Sequence, residues 1–186
     1  MTCIVGLNAK GKIWMGGDSA AVDTDTFRCV IMRDPKVFKL QDQFLIGFAG
    51  SYRFGQLLCY KFIPPEKSEG QDDYEFMVTD FMDSLRNLMK NEGVVKVSDS
   101  VESLDEMGAL IGFNGKLYNL DEDFQIGEMV LPYCSIGSGA DFAFGSLETS
   151  FQLSKRMSPR KRVLMALGAA AAFSATVSSP FTVLSL

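Results

Sequence analysis

Thr2-Cys3-Ile4-Val5-Gly6-Leu7, then Asn8-Ala9-Lys10-Gly11, then Ile13-Trp14-Met15 and Gly16-Gly17-Asp18 open the chain. A β-branched run, a turn containing glycine and a second apolar run are the parts of a β-hairpin. Ser19 to Arg28 is polar and reads as a loop. Lys36-Val37-Phe38-Lys39-Leu40 and Phe44-Leu45-Ile46-Gly47-Phe48 flank Gln41-Asp42-Gln43 as a second hairpin. Ala49-Gly50-Ser51 marks the change to a helix, because Phe54, Leu57, Leu58 and Phe62 recur at helical spacing until Pro64-Pro65.

A second amphipathic helix is predicted between about Asp73 and Lys90, from Phe76, Phe81, Leu85, Leu88 and Met89, with a charged loop after it. Asn114-Gly115 between Gly108–Phe113 and Lys116–Leu120 is a strong hairpin signal. A short strand is expected near Cys134-Ser135-Ile136, and helices over about Ala140–Leu153 and Pro159–Ser174, the latter opened by Ser158 as N-cap. Phe181 to Leu186 reads as a closing strand. Strands, two helices, strands, two helices and a strand are segregated blocks, not alternating βαβ units. They predict an α+β fold of two antiparallel sheets face to face with helices outside, in one domain over residues 1–186.

The composition narrows the chemistry. The chain has 186 residues, of which 47% are hydrophobic and 22% charged, enough for a packed core. A formal net charge of −5 argues against nucleic acid or a polybasic membrane patch as partner. Val163 to Val177, the most apolar window, is shorter than the ~20 residues of a spanning helix, and no secretory signal pattern opens the chain. Cys3, Cys29, Cys59 and Cys134 are scattered, which suits small buried side chains in a reducing, cytoplasmic setting. There is no histidine, so Ser-His-Asp and Cys-His catalysis and His-ligated metals are excluded.

Without histidine, a hydroxyl nucleophile needs another base. A chain-terminal amine has an ordinary pKa of about 7.7–8.0, so much of it is free base near neutrality. It serves only if the nucleophile is itself the first residue. Thr2 follows Met1, and a small second residue permits trimming of the initiator. Alone, Thr2 reads as a β-branched residue opening a strand.

Thr2-Cys3-Ile4-Val5-Gly6, Gly16-Gly17-Asp18-Ser19-Ala20-Ala21, Lys36-Val37-Phe38-Lys39-Leu40, Gly47-Phe48-Ala49-Gly50 and Ile136-Gly137-Ser138-Gly139 occur in that order. This series resembles the proteasome β-subunit and HslV peptidases, a family of N-terminal nucleophile (Ntn) hydrolases, over nearly the whole chain. The resemblance implies a four-layer αββα sandwich and a threonine endopeptidase. It further implies a homo-oligomer of stacked rings as the active form, unfolded polypeptides as substrate and an AAA+ unfoldase as partner.

By the same resemblance Thr2 is the nucleophile, Lys36 the charge beside its amine, and Asp18 the carboxylate that orients the lysine. Gly50 offers a backbone N–H to the oxyanion, and Ser138 a hydroxyl near the amine. The substrate pocket maps to Ala21, Phe48 and Tyr52. No cofactor is required; in some relatives backbone carbonyls aligned with Ala171, Ser174 and Val177 hold a monovalent cation, sodium or potassium.

Two departures stand out. The stretch between Asp18 and Lys36 is slightly longer than the family usually has. The Asp-x-x-Ser pair that proteasome β-subunits carry after the last long helix is replaced by Ala171-Ala172-Phe173-Ser174-Ala175-Thr176-Val177-Ser178, which has no carboxylate, as in HslV-like members. A catalytically silent ring subunit and an Ntn amidase acting on a small amide are the alternatives. Asp121-Glu122-Asp123 reads as a solvated turn, and Lys155-Arg156 and Arg160-Lys161-Arg162 as exposed or inter-subunit residues.

Overall fold

The structure, a computed structural model, describes residues 2–23, 25–26, 28–154 and 156–186. Two antiparallel sheets carry the fold. The first runs in the order β12 (Tyr133–Ile136), β1 (Ile4–Ala9), β2 (Lys12–Gly17), β13 (Thr182–Ser185). The second runs β11 (Ile126–Glu128), β10 (Lys116–Leu120), β9 (Gly108–Phe113), β6 (Phe44–Ala49), β5 (Val37–Leu40).

The alternation of β1 explains why every one of its first four residues is buried. Ile4 packs between the sheets with Ile13, Met15, Val37, Leu45, Leu110 and Leu117. Val5 and Leu7 turn the other way, onto Val163, Ala166, Leu167 and Ala170 of α5 (Pro159–Phe173) and Ala143 and Leu147 of α4 (Ala140–Leu153). Side chains of a strand point to opposite faces in turn, so a strand covered on both sides needs apolar residues at every position.

The far face of the second sheet is covered by α1 (Tyr52–Tyr60) and by a longer helical segment. That segment runs from α2 (Asp73–Phe76) through a π turn (Met77–Phe81) into α3 (Met82–Asn91). Helix, sheet, sheet and helix therefore stack in four layers, the αββα sandwich that the sequence motifs imply. Lys10-Gly11 and Asn114-Gly115 supply paired positive φ values at two-residue hairpin turns, which fixes the register of β1 with β2 and of β9 with β10.

Several features differ from the sequence expectations. The Ser19–Arg28 stretch is not all loop, because β3 (Ala20–Val22) pairs with β4 (Cys29–Ile31), and this hairpin lies between Asp18 and Lys36. The charged loop after α3 contains a second small hairpin, β7 (Lys96–Ser98) with β8 (Val101–Ser103). Three-residue edge strands, mostly exposed, carry no alternation to read. Cys29 is exposed, although Cys3 and Cys134 are buried as expected.

Arg162 is buried rather than solvated. Its guanidinium sits 4.3 Å above the Phe151 ring and donates to Ser150 Oγ (2.9 Å) and to the Ser154 carbonyl, joining the end of α4 to the start of α5. A guanidinium stacks on an aromatic face and caps carbonyls at once, so a basic run is not always a solvated one. Lys155, in the neighbouring basic pair, lies outside the described residues. No helix among the described residues is long and apolar enough to cross a membrane.

Candidate active site

Asp18 follows directly on β2 and is 1% exposed. Its Oδ1 accepts the backbone N–H of Cys3 (3.0 Å), and Oδ2 accepts that of Ala20 (3.0 Å). Lys36, just ahead of β5 and 2% exposed, closes the arrangement. Its Nζ donates to Asp18 Oδ1 (3.0 Å), to Oδ2 (3.1 Å) and to the Ala20 carbonyl (2.6 Å). Taking a carboxylate and an ammonium out of water costs several kcal/mol per ion, and only such saturation of donors and acceptors offsets it. Burial lowers the Lys36 pKa, and the negative charge of Asp18 opposes that shift. Lys39, two residues after Val37 on the same strand, is exposed; the two lysines of one short run have opposite environments.

Thr2, 1% exposed, precedes β1. Its N–H donates to Ser138 Oγ (3.1 Å), and its carbonyl accepts from Gly139 N (3.1 Å) and lies 3.3 Å from Ser138 Oγ. The turn that presents Ser138 depends on Gly137, whose φ is +92°. A Cβ there would lie 2.3 Å from the Thr2 carbonyl oxygen, so no other residue fits without moving Thr2. Gly50, at φ +97°, ends β6, and Ser51 then caps α1 by accepting from Arg53 N (3.1 Å).

Thr2, Gly50 and Ser138 line one cavity of about 560 Å³, whose remaining walls include Val22, Ser51 and the Asp105-Glu106-Met107 loop. Asp18 and Lys36 lie behind Thr2 rather than in the cavity wall, linked to it through the Cys3 amide. The five residues expected to carry the chemistry are thus brought to one place. A hydroxyl, a backbone donor and a buried lysine in that arrangement suit attack on a carbonyl once a base is supplied beside the hydroxyl.

Ala21 and Tyr52 line an adjoining cavity of about 300 Å³ with Val22, Asp23, Arg28, Val30 and Gly50. Burial pushes the Tyr52 phenol up to about 12. Phe48 does not line this cavity. It is 2% exposed, its ring lies under Gly55 of α1, and it meets Tyr52 edge-on at 5.7 Å, so it supports the pocket from the core. Ala171 belongs to the last turn of α5, and Ser174 and Val177 follow it; the Ser174 carbonyl accepts the N–H of Val177 (3.2 Å).

On the opposite side a larger cavity of about 770 Å³ shares Ala49, Glu106, Met107 and Gly137 with the central one and runs past Asp121, Glu122 and Asp123. These three residues form the exposed turn that their composition suggests. The 105–107 wall carries no motif and follows only from the pairing of β6 with β9, which sets Ala49 opposite Gly108.

The four-layer arrangement is the Ntn-hydrolase fold, and solved structures carry the same fold at low identity. BPH of Thiobacillus denitrificans in complex with epoxomicin superposes with a TM-score of 0.80 at 16% identity, covering 100% of this chain and 98% of that one. Eukaryotic HslV from Trypanosoma brucei gives 0.70 at 17% identity, over 100% of this chain and 99% of that one. Anbu, an ancestral β-subunit from Yersinia bercovieri, gives 0.68 at 15% identity, over 99% and 81%. No protein-family profile and no curated protein sequence matches the chain. The chain therefore has the fold of HslV and BPH across its full length.

Proposed function

We propose that the chain is a threonine-type endopeptidase in which Thr2, made amino-terminal by removal of Met1, is the nucleophile. Met1 lies outside the described residues. The observation that carries the reading is the convergence of Thr2, Gly50 and Ser138 on one cavity, with Asp18 and Lys36 held behind Thr2. Thr2 Oγ attacks the scissile carbonyl while the Thr2 amine takes its proton. The developing oxyanion meets the Gly50 N–H, and the amine returns the proton to the leaving nitrogen. Water, deprotonated by the same amine, then hydrolyses the ester and regenerates Thr2. The positive charge of Lys36 favours the neutral, basic form of the amine.

The resemblance of the motifs supplies the wider setting: a cytoplasmic homo-oligomer of stacked rings, unfolded polypeptide as substrate, and an AAA+ unfoldase to deliver it. A monovalent cation on the backbone carbonyls of Ala171, Ser174 and Val177 is compatible with an oxygen-only donor set, and no step above depends on it.

Intact mass with a fluorogenic peptide assay, on wild type and Thr2→Ala, tests the mechanism. The expected result is loss of Met1 and peptide cleavage that Thr2→Ala abolishes. A wild type with a free Thr2 terminus that cuts no peptide, even with an unfoldase supplied, would favour a silent ring subunit.

A further inference from the structure

The hydroxyl that receives the Thr2 N–H is itself part of a longer chain. Ser138 Oγ lies 2.9 Å from Thr176 Oγ1, which lies 2.9 Å from Ser174 Oγ. The three hydroxyls come from two separate segments. Ser138 is on the turn before α4, whereas Ser174 caps the end of α5, its N–H donating to Ala170 O (2.8 Å). The turn closed by Val177 N on Ser174 O then brings Thr176 back toward Ser138.

We propose that Thr176 and Ser174 are positioning residues that set the orientation and proton affinity of the Thr2 amine through Ser138. The inference rests on the reading of Thr2 as the amino-terminal nucleophile.

The proposal places the Ser138 proton on Thr176, the shorter of its two contacts. A serine hydroxyl has one proton and two lone pairs. Ser138 Oγ has two acceptors within reach for its proton, the Thr2 carbonyl at 3.3 Å and Thr176 Oγ1 at 2.9 Å. Donation to Thr176, and from Thr176 to Ser174, runs away from Thr2 and leaves a Ser138 lone pair on the Thr2 nitrogen. In a chain of this direction each bond polarises the next, so the Ser138 oxygen becomes a better acceptor for an ammonium. Without the Thr176 oxygen, the Ser138 proton is left with the longer contact to the Thr2 carbonyl, and the support from the segment after α5 is lost.

The relay has no carboxylate and carries no charge. The charged groups around the amine are Lys36 and Asp18 behind it and Asp105 and Glu106 across the cavity, with Asp105 paired to Lys96. The nearby Cys3 thiol stays neutral, pushed up to about 11 by burial. The relay therefore adjusts the amine by hydrogen bonding alone.

The test uses protein with Thr2 as its first residue and compares wild type, Thr176→Val, Thr176→Ser and Ser174→Ala. Two readouts are taken: peptide kinetics against pH, and the rate of carbamoylation of the Thr2 amine by cyanate against pH, followed by peptide mapping. Thr176→Val is expected to lower kcat by roughly tenfold, about the worth of one uncharged hydrogen bond, with KM unchanged. The acid limb of kcat/KM and the carbamoylation midpoint should both move to lower pH, since the ammonium loses polarised support. Ser174→Ala should move them less in the same direction, and Thr176→Ser should restore wild-type values.

A carbamoylation midpoint in Thr176→Val equal to that of wild type overturns the proposal, as does Thr176→Ser behaving like Thr176→Val. Because the amine titrates whether or not peptide is cut, an inactive wild type whose midpoint still shifts would count against the peptidase reading and not against the relay.

Discussion

One carboxylate oxygen, Asp18 Oδ1, accepts both the N–H of Cys3 and the ammonium of Lys36, each at 3.0 Å. The backbone that carries Thr2 and the charge behind it are thus fixed by the same atom. Asp18→Asn keeps the shape but takes the carboxylate charge away from buried Lys36. Breaking a buried pair from one side costs roughly 3–5 kcal/mol, and Lys36→Met should cost a comparable amount. The double variant Asp18→Asn/Lys36→Met should lose clearly less than the sum in urea unfolding; a sum additive within about 0.5 kcal/mol would mean that the two are not coupled. Both single variants should also lose peptide cleavage.

Gly137→Ala should be more harmful than a methyl group suggests. The position is at φ +92°, and the new Cβ would lie 2.3 Å from the Thr2 carbonyl. The left-handed strain costs of order 1–2 kcal/mol, and relief of the clash displaces Thr2 from Ser138. The measurement is kcat beside the unfolding free energy. Gly127→Ala serves as control, since a Cβ there meets nothing within 4 Å. Cleavage equal to wild type in Gly137→Ala would show that Thr2 needs no such fixed turn.

Alkaline stability follows from the buried acids. Burial pushes the Cys3 and Cys134 thiols from 9.0 to about 11, the Tyr52 phenol from 10.0 to about 12, and Tyr118 upward as well. Between the ordinary and the raised values the folded chain holds protons that the unfolded chain has lost, so stability falls as pH rises. Lys36, lowered by burial, has the opposite sign, because its unfolded form keeps its proton longer. One group opposes four. The urea-unfolding free energy should therefore drop between about pH 8 and about pH 10.5 by more than 1 kcal/mol, a tenfold difference in proton affinity being worth about 1.4 kcal/mol. A flat profile would contradict the burial of these side chains.

The sequence made the double-sided burial of β1 and the hairpin turns legible, because apolar runs and Asn-Gly or Lys-Gly pairs leave direct traces. The convergence of Thr2, Asp18, Lys36, Gly50 and Ser138 on one place was legible through the order of short motifs rather than through any periodicity. What stayed hidden depends on contacts between distant segments. Phe48 lies at the edge of its expected pocket, but the glycine that lets it sink is Gly55, on the next helix. Arg162 belongs to a basic run, yet Phe151 and Ser150 on α4 take it out of water. Thr176 reaches Ser138 across 38 positions, with nothing in either local sequence to announce the pairing.

The placement of Thr2 at the head of β1 has a dynamic consequence. β1 is hydrogen-bonded on both edges, to β2 and to β12, and is packed on both faces. Segments of that kind exchange their amide hydrogens only when the whole domain opens, whereas most ligand-binding loops fluctuate locally. Thr2 is therefore tied to a strand held on every side, and any adaptation of the cavities to an occupant falls to the short β3–β4 hairpin and the 105–107 loop on either side of it.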